Sequence, residues 1–584
     1  MRNYSRLAVL ILFITVAAGC FGACSKRGHA PNTLLIYICG STLETYNGYA
    51  SENIAEMLEA DISPQTTVII EVGGSKSWQN ENISPKHIGR YTIRNNQLVL
   101  LERLEQGNMG SADTLKAFID CGTSYAPSDH VSLILWDHGG GTVDGVCADS
   151  NYKYDALTYN ELKRAFEECQ VERFDFVGMD ACLMATYSFA EMISDYADYY
   201  IASEELIPGT GWDYKTVLSR IGTDSFYDDV LSSYAAKHGR KNTYTLSVMK
   251  LSEISKARSA VSSMTALIRG DISLAKQALS SGKQFGVKGS EEAGSGLYDL
   301  GLFANALGVR CDFSSFIKTV NGAAHSEATG MSFYFPTNDP EAFDTFCSIC
   351  PNREYVDFLS SHFHYRPERP IVFENMGYDN GGCMSFILTA PSETYVRSVG
   401  YELHSFAGSE QTQKLYLVGT DNDVSHENGV YTVNFHGNWV FLNDFLLHTD
   451  VYEEKDTHTV FSANVKIGGE LCRLLFTYFK PTRTVEAEGY VIEGDLTSRI
   501  HSLTEGTEIT VIYEDPIPED GQVRYEEGTV VWNEEARLSI QKVDAGYYQY
   551  IPYVVDIYGN LYYANTAVVY FDGEKSTVGN IAAG

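Results

Sequence analysis

Two short runs, each directly behind a stretch with the composition of a buried β-strand, most constrain what this chain can fold into. The run WDHGGG carries His138 and Gly139 and follows the apolar segment 130–135, and the run MDAC ends at Cys182 and follows the segment 173–178. A polar, acidic stretch and one predicted helix separate them, which is typical of neighbouring strands in a parallel α/β sheet. Because the carboxyl ends of such strands share one rim, we expect His138 and Cys182 to face the same crevice.

This pair of side chains indicates the chemistry of a cysteine nucleophile. A lone histidine beside glycines is usually a turn residue, and a lone cysteine in an apolar stretch is usually a small buried hydrophobe. Together at one rim, a neutral imidazole can take the thiol proton and the thiolate can attack a carbonyl carbon. A predicted helix from 183 to about 194 would start right behind Cys182, and its dipole would favour the thiolate.

The sequence around these residues is specific enough to indicate a family. The runs WDHGGG, GMDACLM and ADYYIASEELIPGTGWDY (197–214) resemble the clostripain family of cysteine peptidases, which belongs to the clan with the caspase-like fold. The resemblance covers about residues 31–365. It implies an α/β fold with a mainly parallel sheet flanked by helices, with Cys182 as nucleophile and His138 as base. It also implies that the backbone N–H groups of Gly139 and Cys182 hold the oxyanion.

The resemblance further gives Asp180 a role in substrate binding. It matches the family position that lines the pocket for a basic side chain at P1, where a buried carboxylate can pair with arginine or lysine. The alternative is that Asp180 only shapes the turn before Cys182. We expect the neighbouring Asp137 to fix the histidine loop rather than to act as a third catalytic group.

Two other hydrolase classes fit the sequence poorly. The run HGGG also occurs in α/β-hydrolase lipases and esterases, but that fold requires a Gly-x-Ser-x-Gly motif, which this chain lacks. A metal hydrolase is disfavoured because no second histidine accompanies His138 at ligand spacing, so we assign no metal ligands. The catalytic chemistry requires no cofactor.

The connection between the histidine strand and the cysteine strand offers a site for self-cleavage. Several members of the clan, clostripain among them, are cut between these strands. Lys153 is the only basic residue in the polar stretch 148–155, and an exposed polar loop is a likelier target than a helix; the alternative is an ordinary surface lysine. By the same resemblance, Asp149 and Asp155 could hold calcium, although no complete ligand set is visible.

Residues 1–30 read as a lipoprotein signal peptide and tether. Arg2 and Arg6 precede an apolar run, 7–18, that is too short to span a bilayer. The run ends in Ala-Ala-Gly-Cys20, which resembles a lipoprotein processing site with Cys20 as the lipidated residue; the alternative is an ordinary cleaved signal peptide. We therefore expect an exported cell-envelope protein, facing outward or periplasmic, that is held to the membrane through a lipid anchor.

Length and charge bound the remaining possibilities. At 584 residues the chain is too long for one core, and its net charge of −33 argues against nucleic acid as a partner, so we expect none. Residues 31–365 are the predicted peptidase domain. Beyond about 370, short alternating runs of β-branched and aromatic residues predict a β-rich accessory domain over 366–584, a sandwich or barrel of antiparallel strands.

These features leave two functions open. The first is an endopeptidase that cleaves proteins or peptides after arginine or lysine. The second is a catalytically silent, surface-anchored binding or adhesion protein on a caspase-like scaffold. Retention of both His138 and Cys182 favours the enzyme.

Overall fold

The computed structural model describes residues 31–286, 295–364, 370–379, 382–407, 414–433, 435–492, 499–515 and 524–578. We refer to residues 31–364 as the N-terminal region and to residues 370–578 as the C-terminal region. The predicted boundary at 365/366 and the predicted lipidation site Cys20 lie outside the described residues. The division into separate domains therefore stays a prediction.

A nine-stranded sheet forms the centre of the N-terminal region, in the order β13-β10-β9-β8-β5-β1-β2-β3-β4. The strands of this region, in chain order, are β1 (Asn32–Cys39), β2 (Thr66–Gly73), β3 (His87–Arg94), β4 (Gln97–Glu105), β5 (His130–Trp136), β6 (Val146–Asp149), β7 (Asp155–Leu157), β8 (Phe174–Asp180), β9 (Ala197–Ala202), β10 (Thr245–Lys250), β11 (Gln284–Phe285), β12 (Leu297–Asp299), β13 (Ile317–Asn321) and β14 (Ser332–Tyr334).

The five central strands β2, β1, β5, β8 and β9 run parallel, and the strands on both edges of the sheet pair antiparallel. Strands β1, β2 and β5 are apolar and buried along nearly their whole length, as expected of parallel strands covered on both faces. The predicted α/β class is confirmed, with a mixed sheet whose centre is parallel.

Helices connect and flank these strands. They are α1 (Ser41–Asn47), α2 (Tyr49–Leu58), α3 (Ala112–Tyr125), α4 (Gly141–Asp144), α5 (Tyr159–Glu168), α6 (Tyr187–Ile193), α7 (Tyr214–Arg220), α8 (Phe226–His238), α9 (Ser255–Gly270), α10 (Ser273–Ser281), α11 (Leu300–Ala306), α12 (Pro340–Ile349) and α13 (Arg353–His362). The helix between the histidine and cysteine strands, α5, begins with a capping box between Thr158 and Glu161. Helix α3 packs against α5 and helix α2 packs against α7.

Antiparallel strands dominate the C-terminal region, as predicted. Their pairings are antiparallel apart from one bridge between β18 and β23 among the described residues. The elements are β15 (Phe373–Tyr378), β16 (Met384–Leu388), α14 (Ala390–Glu393), β17 (Val396–Ala407), β18 (Lys414–Asp421), β19 (Val424–Glu427), β20 (Val430–Val433), β21 (Asn438–Leu442), β22 (Phe445–Leu446), β23 (Thr449–Glu454), β24 (His458–Ile467), β25 (Glu470–Phe479), β26 (Thr484–Ile492), β27 (Glu508–Glu514), β28 (Arg524–Val531), β29 (Leu538–Lys542), β30 (Gly546–Asp556), β31 (Leu561–Tyr563), β32 (Ala567–Phe571) and β33 (Ser576–Val578).

The two regions share one apolar core. The largest hydrophobic cluster is built around the central sheet, yet it also contains Leu475, Val491 and Ile500 from the C-terminal region. Two further clusters lie wholly within the C-terminal region. The C-terminal region therefore packs directly on the N-terminal region, and Ile500 is one of the residues at this contact. Within the described part of the chain, no helix combines the length and apolar character needed to cross a membrane.

Candidate active site

The strand register brings the two motifs to neighbouring positions at the edge of the sheet. Strand β5 pairs in parallel with β8, and the last pair in register is Trp136 with Asp180. The N–H of Asp137 donates to the Asp180 carbonyl at 3.4 Å, so the chains stay side by side beyond this pair. His138 and Cys182 each lie two residues past it. Both therefore leave the sheet at the same rim.

Cys182 is completely enclosed. Its side chain has 0% exposure, and its Sγ accepts a hydrogen bond from the Ile207 N–H at 3.1 Å. Burial raises the pKa of Cys182 to about 12, although the charge of Arg499 and the Ile207 hydrogen bond act in the opposite direction. The buried sulfur is therefore a thiol at neutral pH.

The helix behind Cys182 starts later than predicted. Leu183 has a left-handed backbone with φ of 63°, which no helix can continue through, so the expected helix from 183 is wrong. Thr186 caps the helix instead, and α6 begins at Tyr187. The dipole of α6 is therefore displaced by more than a turn from the sulfur, and it falls off within the first turn.

His138 is oriented by a residue that the sequence did not reveal. Its Nε2 atom lies 2.6 Å from Oγ1 of Thr42, whereas Oδ1 of Asp137 lies 4.0 Å from the same nitrogen. Only the first distance is that of a hydrogen bond. When Nε2 donates its proton to Oγ1 of Thr42, Nδ1 is the nitrogen through which the ring can accept a thiol proton.

Gly139 lies against the backbone of Cys182. A Cβ atom at this position would come within 2.4 Å of the Cys182 carbonyl oxygen, so the close approach requires glycine. Gly139 also forms an antiparallel bridge with Val146, and the hydrogen bonds of this bridge come from its neighbours. The N–H of Gly139 therefore points away from Val146, which suits an oxyanion donor.

The Asp180 carboxylate lies in an enclosed space near Cys182, which we call the cavity. The charge of Asp180 is close enough to Cys182 to contribute to the raised pKa of its thiol. The Asp180 carboxylate is fully buried and accepts hydrogen bonds at 3.1 Å from the Trp212 N–H and the Tyr214 hydroxyl. A Cβ at Gly211 would come within 2.5 Å of this carboxylate. The cavity thus depends on glycine at that point in its wall.

The guanidinium of Arg499, from the C-terminal region, fills this cavity. Its Nη2 lies 3.3 Å from Oδ1 of Asp180 and also donates to the Asp180 carbonyl. Nη1 donates to the Gly209 carbonyl at 3.2 Å, and Nη2 also donates to the Asp137 carbonyl at 3.4 Å. Its central carbon lies 4.4 Å from the ring centre of Trp136, a cation–π contact. The cavity therefore has the shape and charge to hold an arginine side chain.

Lys237 and His238 bind the loop 210–212, which forms part of the cavity wall. Nζ of Lys237 donates to the carbonyls of Thr210 and Trp212 at 3.0 Å each. Nε2 of His238 lies 2.8 Å from the Gly211 carbonyl, and burial lowers the pKa of His238 to about 4. His238 is therefore neutral at physiological pH and donates a hydrogen bond, which keeps a second positive charge out of the wall.

The residues predicted for self-cleavage and calcium binding lie in the hairpin of β6 and β7. Lys153 is exposed in the turn between β6 and β7, with a left-handed φ of 59°. Asp149 is buried, and its carboxylate accepts the N–H groups of Met109 and Asn151 at 2.8 Å each, whereas Asp155 is exposed. The described residues contain no cluster of three or more metal-type ligands, and calcium binding stays a prediction.

Two residues of the site were missed by sequence reasoning. Thr42 follows β1, a central parallel strand whose carboxyl end lies at the same rim, and that position was the available signal. Arg499 gave no signal, because it lies 319 residues from Asp180 in the sequence.

Comparison with known proteins supports the motif-based interpretation. Residues 36–311 match the sequence profile of the clostripain family. Clostripain from Hathewaya histolytica is 31% identical over 137 residues, which cover 20% of this chain and 25% of clostripain. The chain thus spans about a quarter of the length of the curated relative it matches.

Two solved structures are similar at low sequence identity. An X-ray structure of a secreted C11 cysteine protease from Bacteroides thetaiotaomicron, in complex with an irreversible peptide inhibitor, has a TM-score of 0.43 and 18% identity, and the match covers 57% of this chain and 99% of that chain. An X-ray structure of an inactive zymogen C11 protease from Parabacteroides distasonis has a TM-score of 0.44 and 20% identity, and the match covers 57% of this chain and 98% of that chain. The family match includes both motifs, and residues 36–311 belong to the clostripain family.

Proposed function

We propose that this protein is an exported cysteine endopeptidase that cleaves peptide bonds after arginine or lysine. The observation that carries the proposal is the buried carboxylate of Asp180, which lies two residues from Cys182 and pairs with a guanidinium in a cavity beside it. A carboxylate that is fully removed from water is costly unless a cation pairs with it. The cavity is therefore suited to a basic side chain.

Cys182 and His138 would act as a dyad. His138 takes the proton from the Cys182 thiol, and the thiolate attacks the carbonyl carbon of the bond after the basic residue. The N–H groups of Gly139 and Cys182 stabilise the resulting oxyanion. His138 then gives its proton to the leaving amine, and water hydrolyses the thioester to release the second product and restore the thiol.

Arginine fits the cavity better than lysine. The guanidinium of Arg499 reaches the carboxylate of Asp180 and also the carbonyls of Gly209 and Asp137. A lysine ammonium is a compact point charge and cannot reach these acceptors at once in the same plane. We therefore propose that both residues are accepted and that arginine is preferred.

The proposal includes export and self-processing. Cys20 would carry the lipid anchor, and the Cys20→Ser variant should then appear in the soluble fraction rather than with membranes. Lys153 would be cut by the enzyme itself, since it is exposed in a turn. A denaturing gel with N-terminal sequencing of fragments tests this. A cut at Lys153 that persists in Cys182→Ala would contradict self-processing.

The activity test is hydrolysis of fluorogenic peptides that end in arginine, lysine or leucine before the dye. We expect turnover of the basic peptides only, and its loss in Cys182→Ala. The Cys311→Ala variant is the matched control, because this partly exposed cysteine also lies in the N-terminal region. Turnover that survives in Cys182→Ala would refute the assignment of the nucleophile. A lack of turnover by both the intact chain and the chain cut at Lys153 would favour the binding or adhesion protein.

A further inference from the structure

A short segment of the C-terminal region, residues 499–501, lies in the cleft beside Cys182. Arg499 enters the cavity above Asp180, as described. The next residue, Ile500, pairs with the cavity wall: its N–H donates to the Ile207 carbonyl at 3.0 Å, and its carbonyl accepts the Gly209 N–H at 2.8 Å. The wall residue Ile207 is the same one whose N–H binds Cys182 Sγ.

The third residue of the segment also contacts the N-terminal region. The ring of His501 stacks on Tyr49 with ring centres 5.8 Å apart. Behind it, the backbone groups of His501 and Tyr490 exchange hydrogen bonds at 2.8 and 3.0 Å, which ties the segment to strand β26. All three residues of the segment are buried, so the segment is packed on the cleft rather than lying loosely over it.

Strand β26 is itself fixed to the N-terminal region. The carboxylate of Glu488 accepts the Asn242 N–H at 2.7 Å and its side-chain amide at 2.8 Å, and Lys241 donates to the Glu488 carbonyl. The Thr477 hydroxyl holds the same carboxylate at 2.9 Å. The segment 499–501 is therefore held at the cavity by β26, and β26 is itself bound to Lys241 and Asn242 of the N-terminal region.

We propose that residues 499–501 are a tethered inhibitor that occupies the substrate-binding cavity of the intact chain. This inference rests on the proposed function, because it takes the cavity above Asp180 as the binding site for the basic side chain of a substrate. The four acceptors around the guanidinium of Arg499 cannot serve a second cation at the same time. A substrate can therefore bind only after the segment is displaced from the cavity.

The first test measures binding without catalysis. The probe is agmatine, a small guanidinium cation, titrated by calorimetry into chains that carry Cys182→Ala to prevent self-cleavage. We expect agmatine to bind at least about tenfold more tightly when Arg499→Ala is added, because the occupied cavity lowers the apparent affinity. Further addition of Asp180→Asn should abolish this gain.

Controls address folding and position. Arg537→Ala is the matched variant, since Arg537 is an exposed arginine of the C-terminal region whose side chain contacts the Ala536 carbonyl. It should leave agmatine binding unchanged. Arg499→Lys keeps a cation in the cavity and guards against loss of folding in Arg499→Ala. Its affinity for agmatine should be closer to that of the chain with Arg499 than to that of Arg499→Ala. Equal agmatine affinity with and without Arg499 would overturn the proposal.

The second test uses turnover of the arginine peptide by the intact chain with Cys182 in place. We expect Arg499→Ala to raise kcat/KM by at least about tenfold for the same reason. If agmatine binds to Arg499→Ala but no variant hydrolyses peptides, the proposed function fails and the occupied cavity stands. If the bond after Arg499 is cut in the unsubstituted chain and remains whole in Cys182→Ala, the segment is a substrate, and the inhibitor proposal is overturned.

Discussion

Arg499 and Asp180 form an ion pair inside the protein, with Nη2 and Oδ1 3.3 Å apart and neither side chain exposed. They come from opposite parts of the chain, separated by 319 residues. A buried pair of this kind rarely improves stability over apolar residues, because both charges must leave water. Its presence beside Cys182 is the basis of our proposal that the cavity binds the basic side chain of a substrate.

We predict that Asp180→Asn loses selectivity for basic substrates. Removing one charge of a buried pair costs about 3–5 kcal/mol, so kcat/KM for the arginine peptide should fall by roughly a hundredfold or more. The leucine peptide should be affected far less. Asp213→Asn is the control, since this nearby carboxylate caps α7 through Thr216. An unchanged ratio between the two peptides would move the specificity pocket elsewhere.

A second prediction concerns Thr42 as a positioning residue for His138. Thr42→Val keeps the shape but removes the hydroxyl 2.6 Å from Nε2. We expect kcat to fall by about tenfold to a hundredfold, because the ring loses its orientation. The pH profile of kcat/KM should also change, and Thr42→Ser should restore both. A loss that follows melting temperature alone, with an unaltered pH profile, would assign Thr42 a structural role only.

The centre of the fold was predictable from apolar runs. The two runs identified before the motifs, 130–135 and 173–178, coincide with β5 and β8 of the parallel centre, because strands buried on both faces are apolar throughout. The edge strands were not identified. Strand β4 alternates between half-buried and exposed residues, and strand β13 is mostly half-buried, so neither forms a continuous apolar run. Edge strands face water on one side and lose the signal.

The site was predictable only where it follows a strand end. His138, Cys182 and Asp180 are neighbours because the register of two parallel strands fixes them. The occupant Arg499 reaches the same place through the packing of an entire second region, and no local pattern encodes that contact. The start of α6 was missed because a left-handed residue, Leu183, carries no sequence mark that separates it from a helical leucine.

We predict that Gly139→Ala impairs catalysis strongly. The new Cβ would lie 2.4 Å from the Cys182 carbonyl oxygen and 2.9 Å from a side-chain carbon of Met184, so the backbone must shift. A displacement near 1 Å can lower kcat by about a hundredfold. Gly377→Ala is the control, because a Cβ there meets nothing within 4 Å. Full activity of Gly139→Ala would mean that the backbone around Gly139 can shift without moving His138.

A further prediction concerns the contact between the two regions. Glu453 of β23 binds the buried Nζ of Lys283 at 2.7 Å. Burial alone would raise the pKa of Glu453, but hydrogen bonding to His458 and the charge of Lys283 outweigh it and lower the pKa from 4.5 to about 2. Glu453 therefore stabilises the fold above about pH 4.5 and loses this contribution as the pH falls towards 2.

The test is the free energy of unfolding of Glu453→Gln as a function of pH. At pH 7 the variant should be less stable by about 3–5 kcal/mol, because Lys283 is left buried without its partner charge. The difference should shrink between pH 4.5 and 2, where Glu453 itself becomes protonated. Glu526→Gln, which breaks an exposed pair with Lys466, should cost at most about 1 kcal/mol. A pH-independent difference would contradict the role of the charge.

The last prediction separates two effects of Arg499 on Cys182 that have opposite signs. Burial raises the pKa of Cys182 to about 12, and the positive charge of Arg499 lowers it. If Arg499 acts only as a nearby charge, Arg499→Ala raises the pKa further and slows alkylation of Cys182 by iodoacetamide at pH 8. If Arg499 also helps to cover the sulfur, its removal admits water, relieves the larger effect of burial and speeds alkylation. We expect the second result, measured by mass spectrometry of the Cys182 peptide. The buried thiol of Cys350, whose raised pKa is set by burial and by neighbours other than Arg499, is the internal control, and its rate should not change. Slower alkylation of Cys182 would show that the segment 499–501 does not shield its sulfur from solvent.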